Sequence, residues 1–288
     1  MVVDKPAGMT SHDVVARVRR LARIRRVGHG GTLDPMATGV LVLAVGRATR
    51  LLTYISGVEK GYEATIRLGQ RTVTDDAEGE LVSASPADGV TDAAIEAGLA
   101  AQTGQIEQVP SAVSAVKVDG RRAYRRVREG EQITLAPRRV TISHLEVRAI
   151  RRDTPAVVDV DIALTCSAGT YVRAVARDLG EALGVGGHLT ALRRTFVGGF
   201  TLAEALTLEE VAERAPDVVT LSMSAAARRA LPHREVSAEQ ARVLAHGGRL
   251  PPVGQPEPYA VFDPDGAVVA VVVERDGQAR PAVVLIPQ

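Results

Sequence analysis

The sequence predicts an α+β protein built on a mainly antiparallel sheet. Alternating apolar and polar residues mark several strands, and helical spacing of apolar residues appears between them without a regular strand–helix–strand repeat. The clearest strand is Val158–Cys166, where every second residue is apolar. With 288 residues, 45% of them hydrophobic, the chain is long enough for one large domain or two smaller ones.

The composition excludes several classes of protein and site. Cys166 is the one cysteine, which excludes an internal disulfide and a multi-cysteine metal site. No apolar run approaches the roughly 18 residues that a membrane-spanning helix needs, and the N-terminal residues lack the layout of a signal peptide. We therefore expect a cytoplasmic protein in which Cys166 is a small buried residue rather than a reactive thiol.

The first helix is expected to begin at Thr10 or Ser11, since either side chain can cap a helix that has Asp13 in its first turn. Apolar side chains then recur on one helical face, at Val14, Val15, Val18, Leu21 and Ala22. Arginines occupy the opposite face, at Arg19, Arg20, Arg23 and Arg26. This pattern predicts an amphipathic helix with a basic outer face.

Basic residues are clustered, although the formal net charge is only +1. Besides the first helix, a second cluster surrounds the turn Asp119-Gly120 and consists of Lys117, Arg121, Arg122, Arg125, Arg126 and Arg128. Charge gathered on separate faces of a nearly neutral protein favours a partner with a phosphate backbone. The alternative, two solvated surfaces without a partner, stays open.

The remaining elements divide into two predicted domains. In the first, residues 1–225, strands are predicted at Tyr62–Leu68 and Val116–Val118, and helices at about residues 91–102, 172–183 and 207–214. The second, residues 226–288, is small and β-rich. Its capping box Ser237-Ala238-Glu239-Gln240 begins a short helix that Gly247-Gly248 ends, and strands follow at residues 259–262, 267–273 and 282–286.

Asp34 lies in the most distinctive stretch of the chain, Gly28–Gly39, just ahead of the buried apolar run Val40–Val45. Glycines permit left-handed turns and close approach of a ligand, and Pro35 biases Asp34 toward an extended conformation. A carboxylate on a rigid loop beside a buried strand is well placed to act as a nucleophile. An ordinary turn is the alternative, because Asp-Pro pairs are common in glycine-rich turns.

Other enzyme signatures are missing from the sequence. It contains no Walker A sequence, dinucleotide-binding glycine motif, nucleophile elbow or H-E-x-x-H zinc motif. The pair Asp159 and Asp161 could suggest a phosphotransferase loop, but it lies inside an alternating strand and is better interpreted as an exposed strand face. We therefore expect the chemistry to come from side chains, without a cofactor or metal.

Four separate segments together resemble the bacterial TruB family of tRNA pseudouridine synthases: Val3–Ser11, Gly28–Gly39, Lys60–Gly69 and Cys166–Gly180. The resemblance spans about residues 2–200. It implies a pseudouridine synthase catalytic domain that isomerises a uridine of the TψC loop of tRNA, position 55, after the base has been flipped out. It also implies a PUA-like RNA-binding domain at the C-terminal end, where the match is weaker.

The resemblance implies three catalytic residues. Asp34 is the nucleophile, Arg173 keeps that carboxylate ionised and oriented, and Tyr62 stacks on the flipped uracil and takes the proton from its C5. Attack by Asp34 on the base and attack on the ribose carbon both stay open. So do the structural alternatives, in which Arg173 is an ordinary arginine at a helix start and Tyr62 packs in the core.

Five further residues are implied to bind the substrate or to support the site. His29 fills the space that the flipped base leaves, and Tyr171 and Leu192 line the uracil pocket. Lys5 supports the catalytic loop, and Arg193 contacts phosphate.

Two departures from the family pattern affect these expectations. Gly30 occupies a position where Thr or Ala is more common, and we expect it to loosen the loop around His29. Little sequence precedes Asp4 to form the strand that usually leads into the first segment, so this edge strand stays open.

Two other functions also stay open. A non-catalytic protein that binds or refolds RNA is compatible with the same scaffold, although the presence of Asp34 and Tyr62 favours catalysis. A small-molecule hydrolase with an aspartate nucleophile would leave the arginine clusters without a role. We expect tRNA as the partner of a monomer that needs no other protein.

Overall fold

The computed structural model describes residues 1–113, 117–118, 121–122 and 135–286. The chain forms two compact units. The first comprises Met1–Pro35, Gly39–Val58 and Phe196–Gln288, and the second comprises Met36–Thr38 and Glu59–Thr195. In the described residues the helices are Ser11–Ala22 (α1), Leu52–Ser56 (α2), Asp92–Ala100 (α3), Val172–Ala182 (α4), Leu208–Glu213 (α5), Met223–Ala230 (α6) and Ala238–Ala245 (α7).

The described residues form more strands than the alternation of the sequence predicted. They are Val2–Lys5 (β1), Val27–His29 (β2), Thr38–Val45 (β3), Lys60–Leu68 (β4), Gln70–Thr72 (β5), Leu81–Ala84 (β6), Gly104–Gln108 (β7), Lys117–Val118 (β8), Arg121–Arg122 (β9), Arg138–Arg151 (β10), Val158–Cys166 (β11), Gly187–Val197 (β12), Phe200–Thr201 (β13), His233–Glu235 (β14), Tyr259–Phe262 (β15), Val268–Arg275 (β16) and Gln278–Val284 (β17). Short 3₁₀ helices lie at Gly46–Leu51 and Leu202–Glu204.

Strand β3 organises the N-terminal part of the first unit. It pairs antiparallel with β1, where Val2 lies opposite Val42, and with β2, where His29 lies opposite Leu43. Residues Gly39–Ala44 are buried, as the apolar run predicts. The edge strand β1 is therefore formed, and the loop that carries Asp34 connects two strands of one sheet.

Helix α1 begins as predicted, with Thr10 as its cap. The Thr10 side chain accepts from the backbone N–H of Asp13 at 3.1 Å, and the Asp13 carboxylate accepts from the N–H of Thr10 at 2.9 Å. This reciprocal pair satisfies two backbone donors that the first helical turn leaves free. Val14, Val15, Val18 and Ala22 are buried, whereas Leu21 is half-buried. The four arginines predicted for the basic face are exposed, but Arg23 and Arg26 lie beyond the end of the helix at Ala22.

The C-terminal strands form a four-stranded sheet in the order β14-β15-β16-β17, in which β14 runs parallel to β15 and the other pairs are antiparallel. Ser237 caps α7 through the predicted capping box. The last two strands begin and end a few residues away from their predicted positions. Ala260 and Phe262 of this sheet share an apolar core with Val2 and Val40. The domain boundary between residues 225 and 226 stays a prediction.

The second unit contains a sheet in the order β12-β4-β11-β10-β7, in which β4, β11, β10 and β7 pair antiparallel. Val158 lies opposite Leu68 and Cys166 opposite Lys60. Helix α4 packs against β4 and α3. The α+β prediction with a mainly antiparallel sheet is confirmed.

One face of this sheet differs from the prediction. Asp159 and Asp161 are half-buried and paired with cations rather than exposed. Arg67 donates two hydrogen bonds to Asp159, at 2.8 and 2.7 Å, and Asp161 accepts from Thr65 at 2.7 Å and from Arg151. Strand alternation alone cannot distinguish a solvated row of carboxylates from one that is neutralised by basic residues on neighbouring strands.

The second basic cluster is only partly described. Strands β8 and β9 pair as a hairpin, with Lys117 opposite Arg122. The turn Asp119-Gly120 and the side chains Arg125, Arg126 and Arg128 lie outside the described residues. Among the helices that the structure describes, each is too short or too polar to cross a membrane.

Candidate active site

The backbone on both sides of Asp34 is held by hydrogen bonds. On one side, the Ser11 hydroxyl accepts from the N–H of Leu33 at 2.8 Å and donates to its carbonyl at 3.1 Å. On the other side, the carbonyl of Pro35 accepts from the N–H of Gly8 at 2.9 Å. Asp34 itself is half-buried. The loop therefore presents this carboxylate from a fixed backbone.

Lys5 supports the same loop from inside the first unit. Its side chain is fully buried, and Nζ donates to the carbonyls of Pro6 at 2.8 Å, Met9 at 2.6 Å and Pro35 at 3.1 Å. A buried ammonium is costly unless its donors are satisfied. These three bonds supply that compensation, and one of them holds Pro35, the neighbour of Asp34.

His29 stands at the end of β2, half-buried, with its ring edge-on to the ring of His12 at a centroid distance of 5.3 Å. The next residue, Gly30, corrects an expectation. Its N–H donates to the carbonyl of Val42 at 2.9 Å, so the backbone is bonded to β3 rather than loosened. A Cβ at Gly30 would lie 2.9 Å from Cγ2 of Ile55, so close packing accounts for the glycine.

In the second unit, two hydrogen bonds join the start of α4 to the end of β7. The backbone N–H of Tyr171 donates to Oε1 of Gln108 at 2.8 Å, and Nε2 of Gln108 donates to the carbonyl of Tyr171 at 3.1 Å. Gln108 is almost completely buried, whereas Tyr171 is half-buried. The pair fixes where the first turn of α4 begins, and with it the position of Arg173.

Arg173 is buried at 5% exposure and held at its guanidinium. Nη1 donates to the carbonyl of Thr74 at 2.8 Å and lies 3.3 Å from Oδ2 of Asp76, and Nη2 donates to the carbonyl of Val113 at 3.0 Å. Asp76 is equally buried, and its other oxygen accepts from the N–H of Glu78 at 3.1 Å. Such a desolvated pair is stable only with this degree of hydrogen bonding.

Tyr62 is buried at 8% exposure in β4, opposite Leu164 of β11. Neighbouring side chains of a strand point to opposite faces of a sheet. Glu63 and Thr65 therefore project from the face of β4 opposite to the ring of Tyr62.

Arg193 and Leu192 line a groove of about 540 Å³ together with Met36, Thr38, Glu63, Thr65, Arg148 and Asp161. Nη1 of Arg193 donates to the hydroxyl of Thr38 at 3.2 Å. Leu192 is buried at 7% exposure. Arg193 thus shares a groove with Glu63 and Thr65, the two side chains that project away from Tyr62.

Two buried residues near Tyr62 have shifted pKa values. Lys60 is two positions before it in β4, and Cys166 lies opposite Lys60 in β11. Burial, assisted by the Arg194 guanidinium, lowers the pKa of Lys60 to about 8. Burial raises the pKa of the Cys166 thiol to about 11, so the thiol is neutral at physiological pH. The prediction that Cys166 is a small buried residue is confirmed.

The predicted site residues divide between the two units. Lys5, His29 and Asp34 belong to the first unit, and Tyr62, Tyr171, Arg173, Leu192 and Arg193 to the second. Sequence reasoning missed three supporting residues: Ser11, Asp76 and Gln108. The consecutive carboxylates in Thr74-Asp75-Asp76 could have indicated Asp76. Two acidic residues in a short loop of an arginine-rich chain are candidates for buried ion pairs.

Solved structures with the same fold include a chain of the crystal structure of a Cbf5-Nop10-Gar1 complex, with a TM-score of 0.75 and 25% identity, covering 100% of this chain and 84% of that one. A family model described as "TruB family pseudouridylate synthase (N terminal domain)" matches residues 19–172. Two C-terminal models follow: "tRNA pseudouridylate synthase B C-terminal domain" at residues 173–220 and "tRNA Pseudouridine synthase II, C terminal" at residues 231–286.

Curated relatives match along the whole chain. A protein of Arthrobacter sp. (strain FB24) named tRNA pseudouridine synthase B is 57% identical, covering 100% of this chain and 96% of its own length. A protein of the same name from Thermobifida fusca (strain YX) is 58% identical, covering 99% of this chain and 97% of its own length. The fold is thus that of a pseudouridine synthase. The chain belongs to the TruB family of pseudouridylate synthases, which confirms the resemblance seen in the sequence.

Proposed function

We propose that this chain isomerises the uridine at position 55, in the TψC loop of tRNA, to pseudouridine. The observation that carries the proposal is the full-length similarity to relatives named tRNA pseudouridine synthase B, in a chain that keeps Asp34, Tyr62 and Arg173 within the family segments. Asp34 supplies a carboxylate on a fixed loop, which this chemistry requires.

The reaction breaks the bond between N1 of uracil and C1′ of ribose, turns the base, and joins C5 to C1′. C5 loses a proton and N1 gains one, so the reaction has no net redox change and needs no cofactor. Asp34 acts as the nucleophile that holds the intermediate. Attack on the base and attack on the ribose carbon are both compatible with a carboxylate presented from a fixed backbone.

The other site residues serve this step. Arg173 keeps Asp34 ionised and oriented, and Tyr62 stacks on the uracil and receives the proton from C5. His29 occupies the space left when the base is flipped. Tyr171 and Leu192 line the uracil pocket.

The remaining contacts concern tRNA and assembly. Arg193 and the arginines of α1 contact phosphate, as the exposed basic face of α1 suits. The C-terminal strands form the PUA-like part of the RNA-binding surface. The solved structure of the same fold is a Cbf5-Nop10-Gar1 complex, whereas we propose that this chain acts in the cytoplasm as a monomer. Light scattering of the purified protein, alone and with tRNA, tests the monomer.

The decisive experiment incubates the protein with an unmodified tRNA transcript and measures pseudouridine by nucleoside analysis. We expect one pseudouridine per tRNA, none with a transcript carrying cytidine at position 55, and none from Asp34→Asn. Because Asn is nearly the same size, Asp34→Asn should keep tRNA affinity within about twofold while removing the nucleophile. Product formed by Asp34→Asn would contradict the proposal.

A further inference from the structure

Two arginines of α4, Arg173 and Arg177, are four residues apart and therefore lie on the same face of the helix. Each pairs with one of two consecutive carboxylates on the loop after β5. Arg173 pairs with Asp76 at 3.3 Å, and Arg177 pairs with Asp75 at 3.5 Å between Nη1 and Oδ2. All four side chains are at most 13% exposed. Only Arg173 has a role in the proposed reaction.

The same two arginines also hold a second segment, Val109–Val113, which follows β7. Nη2 of Arg177 donates to the carbonyl of Val109 at 2.7 Å, and Nη2 of Arg173 donates to the carbonyl of Val113 at 3.0 Å. The two ends of this five-residue segment are thus bonded to successive turns of one helix. Arg177 thus holds the end of the segment at Val109, and Arg173 holds the end at Val113.

The carboxylate side of Arg177 is equally constrained. Asp75 adopts a left-handed backbone conformation, with φ of +60°, which L-residues rarely adopt without compensating contacts. Burial raises the pKa of Asp75, and the Ser111 hydroxyl and the Arg177 guanidinium oppose this rise. Nε of Arg177 also donates to Asp178 at 2.8 Å, which orients the guanidinium plane.

We infer that Arg177 is a positioning residue that sets the guanidinium of Arg173 for the reaction. It does so by fixing the positions of the segment Val109–Val113 and of the Asp75-Asp76 loop relative to α4. This inference rests on the proposed function. It differs from a general stabilising role because it predicts a loss in the chemical step that depends on Arg173.

The test uses the full chain with Arg177→Gln, Arg177→Lys and, as a matched control, Arg152→Gln. Arg152 makes the same two kinds of contact in the same unit, an ion pair with Asp92 at 2.6 Å and a hydrogen bond to the carbonyl of Val90 at 2.8 Å, but it is more exposed than Arg177 and lies outside α4. For each variant, single-turnover pseudouridine formation, tRNA affinity and thermal unfolding are measured.

We expect Arg177→Gln to lower the single-turnover rate by about 10- to 100-fold, the loss typical of a small misplacement of a catalytic group. Arg177→Lys keeps the charge and should recover part of the rate, with tRNA affinity within about twofold of wild type in both variants. Arg152→Gln should leave the rate unchanged. The double variant Arg177→Gln/Arg173→Lys should lose less than the product of the two single losses, because both substitutions act on one group.

Other outcomes overturn the inference. They are an unchanged rate in Arg177→Gln, a loss confined to tRNA affinity, multiplicative losses in the double variant, or a fold lost in both Arg177 variants. An inactive wild-type protein would instead overturn the proposed function, so the two failures are distinguishable.

Discussion

Asp34 and Arg173 are positioned in two different ways. The backbone beside Asp34 is held by hydrogen bonds at the flanking residues Leu33 and Pro35. Around Arg173, they fall on the guanidinium itself. The difference follows from side-chain length. A carboxylate two torsions from the backbone is placed by fixing the backbone, whereas a long side chain keeps its rotamer freedom unless its far end is held.

The largest effect is expected when the hydrogen bonds that hold the guanidinium of Arg173 are broken. Arg173→Lys keeps a positive charge but cannot reach Asp76 and the carbonyls of Thr74 and Val113 together, because an ammonium lacks the planar fork. We expect the single-turnover rate to fall by about 100-fold with tRNA affinity nearly unchanged. Wild-type rates in this variant would show that charge alone is sufficient.

The next largest effect is expected when the backbone beside Asp34 loses the hydrogen bonds that hold it. Lys5→Met leaves the carbonyls of Pro6, Met9 and Pro35 without this donor in a buried place. Leaving buried acceptors unsatisfied should lower the free energy of unfolding by about 2–3 kcal/mol. Urea unfolding measures this loss, and the rate should fall with it because the Asp34 loop loses a support. Unchanged stability would mean that the loop is held without Lys5.

The smallest effect separates two adjacent hydroxyls at the start of α1. Ser11→Ala removes the acceptor for the buried N–H of Leu33, and Thr10→Ala removes the helix cap. Both should cost about 1 kcal/mol in unfolding free energy. Only Ser11→Ala should also lower the rate of pseudouridine formation, since only Ser11 contacts the loop. Equal rates in the two variants would remove Ser11 from the support of Asp34.

Local patterns predicted much of the fold. The alternation of Val158–Cys166, the cap at Thr10, the capping box at Ser237 and the apolar run Val40–Val45, which is buried up to Ala44, each depend on residues within one or two turns. The exposure of Asp159 and Asp161 was wrong because their partners, Arg67 and Arg151, come from neighbouring strands. Such partners depend on strand order and register, which alternation does not specify.

The same limit applies to the site. Family segments identified Asp34, Tyr62 and Arg173 as candidates because these residues stand inside recognisable local sequences. The support of Arg173 by Asp76 and Val113 joins residues 97 and 60 positions away, and no local pattern connects them. The substitutions of Asp34 and Arg173 above test the roles predicted for these two candidates.

The sequence by itself determined the family and many of the helices and strands, because these depend on short-range periodicity, on capping chemistry and on motifs that are recognised residue by residue. The tertiary structure decided which groups hold the candidate site residues. The Ser11 hydroxyl bonds the backbone of Leu33 instead of capping α1. Asp75 and Asp76, on one loop, each pair with an arginine of α4. The physical reason is that a buried polar group must find a partner wherever the fold provides one, and only the folded chain brings distant donors and acceptors within bonding distance.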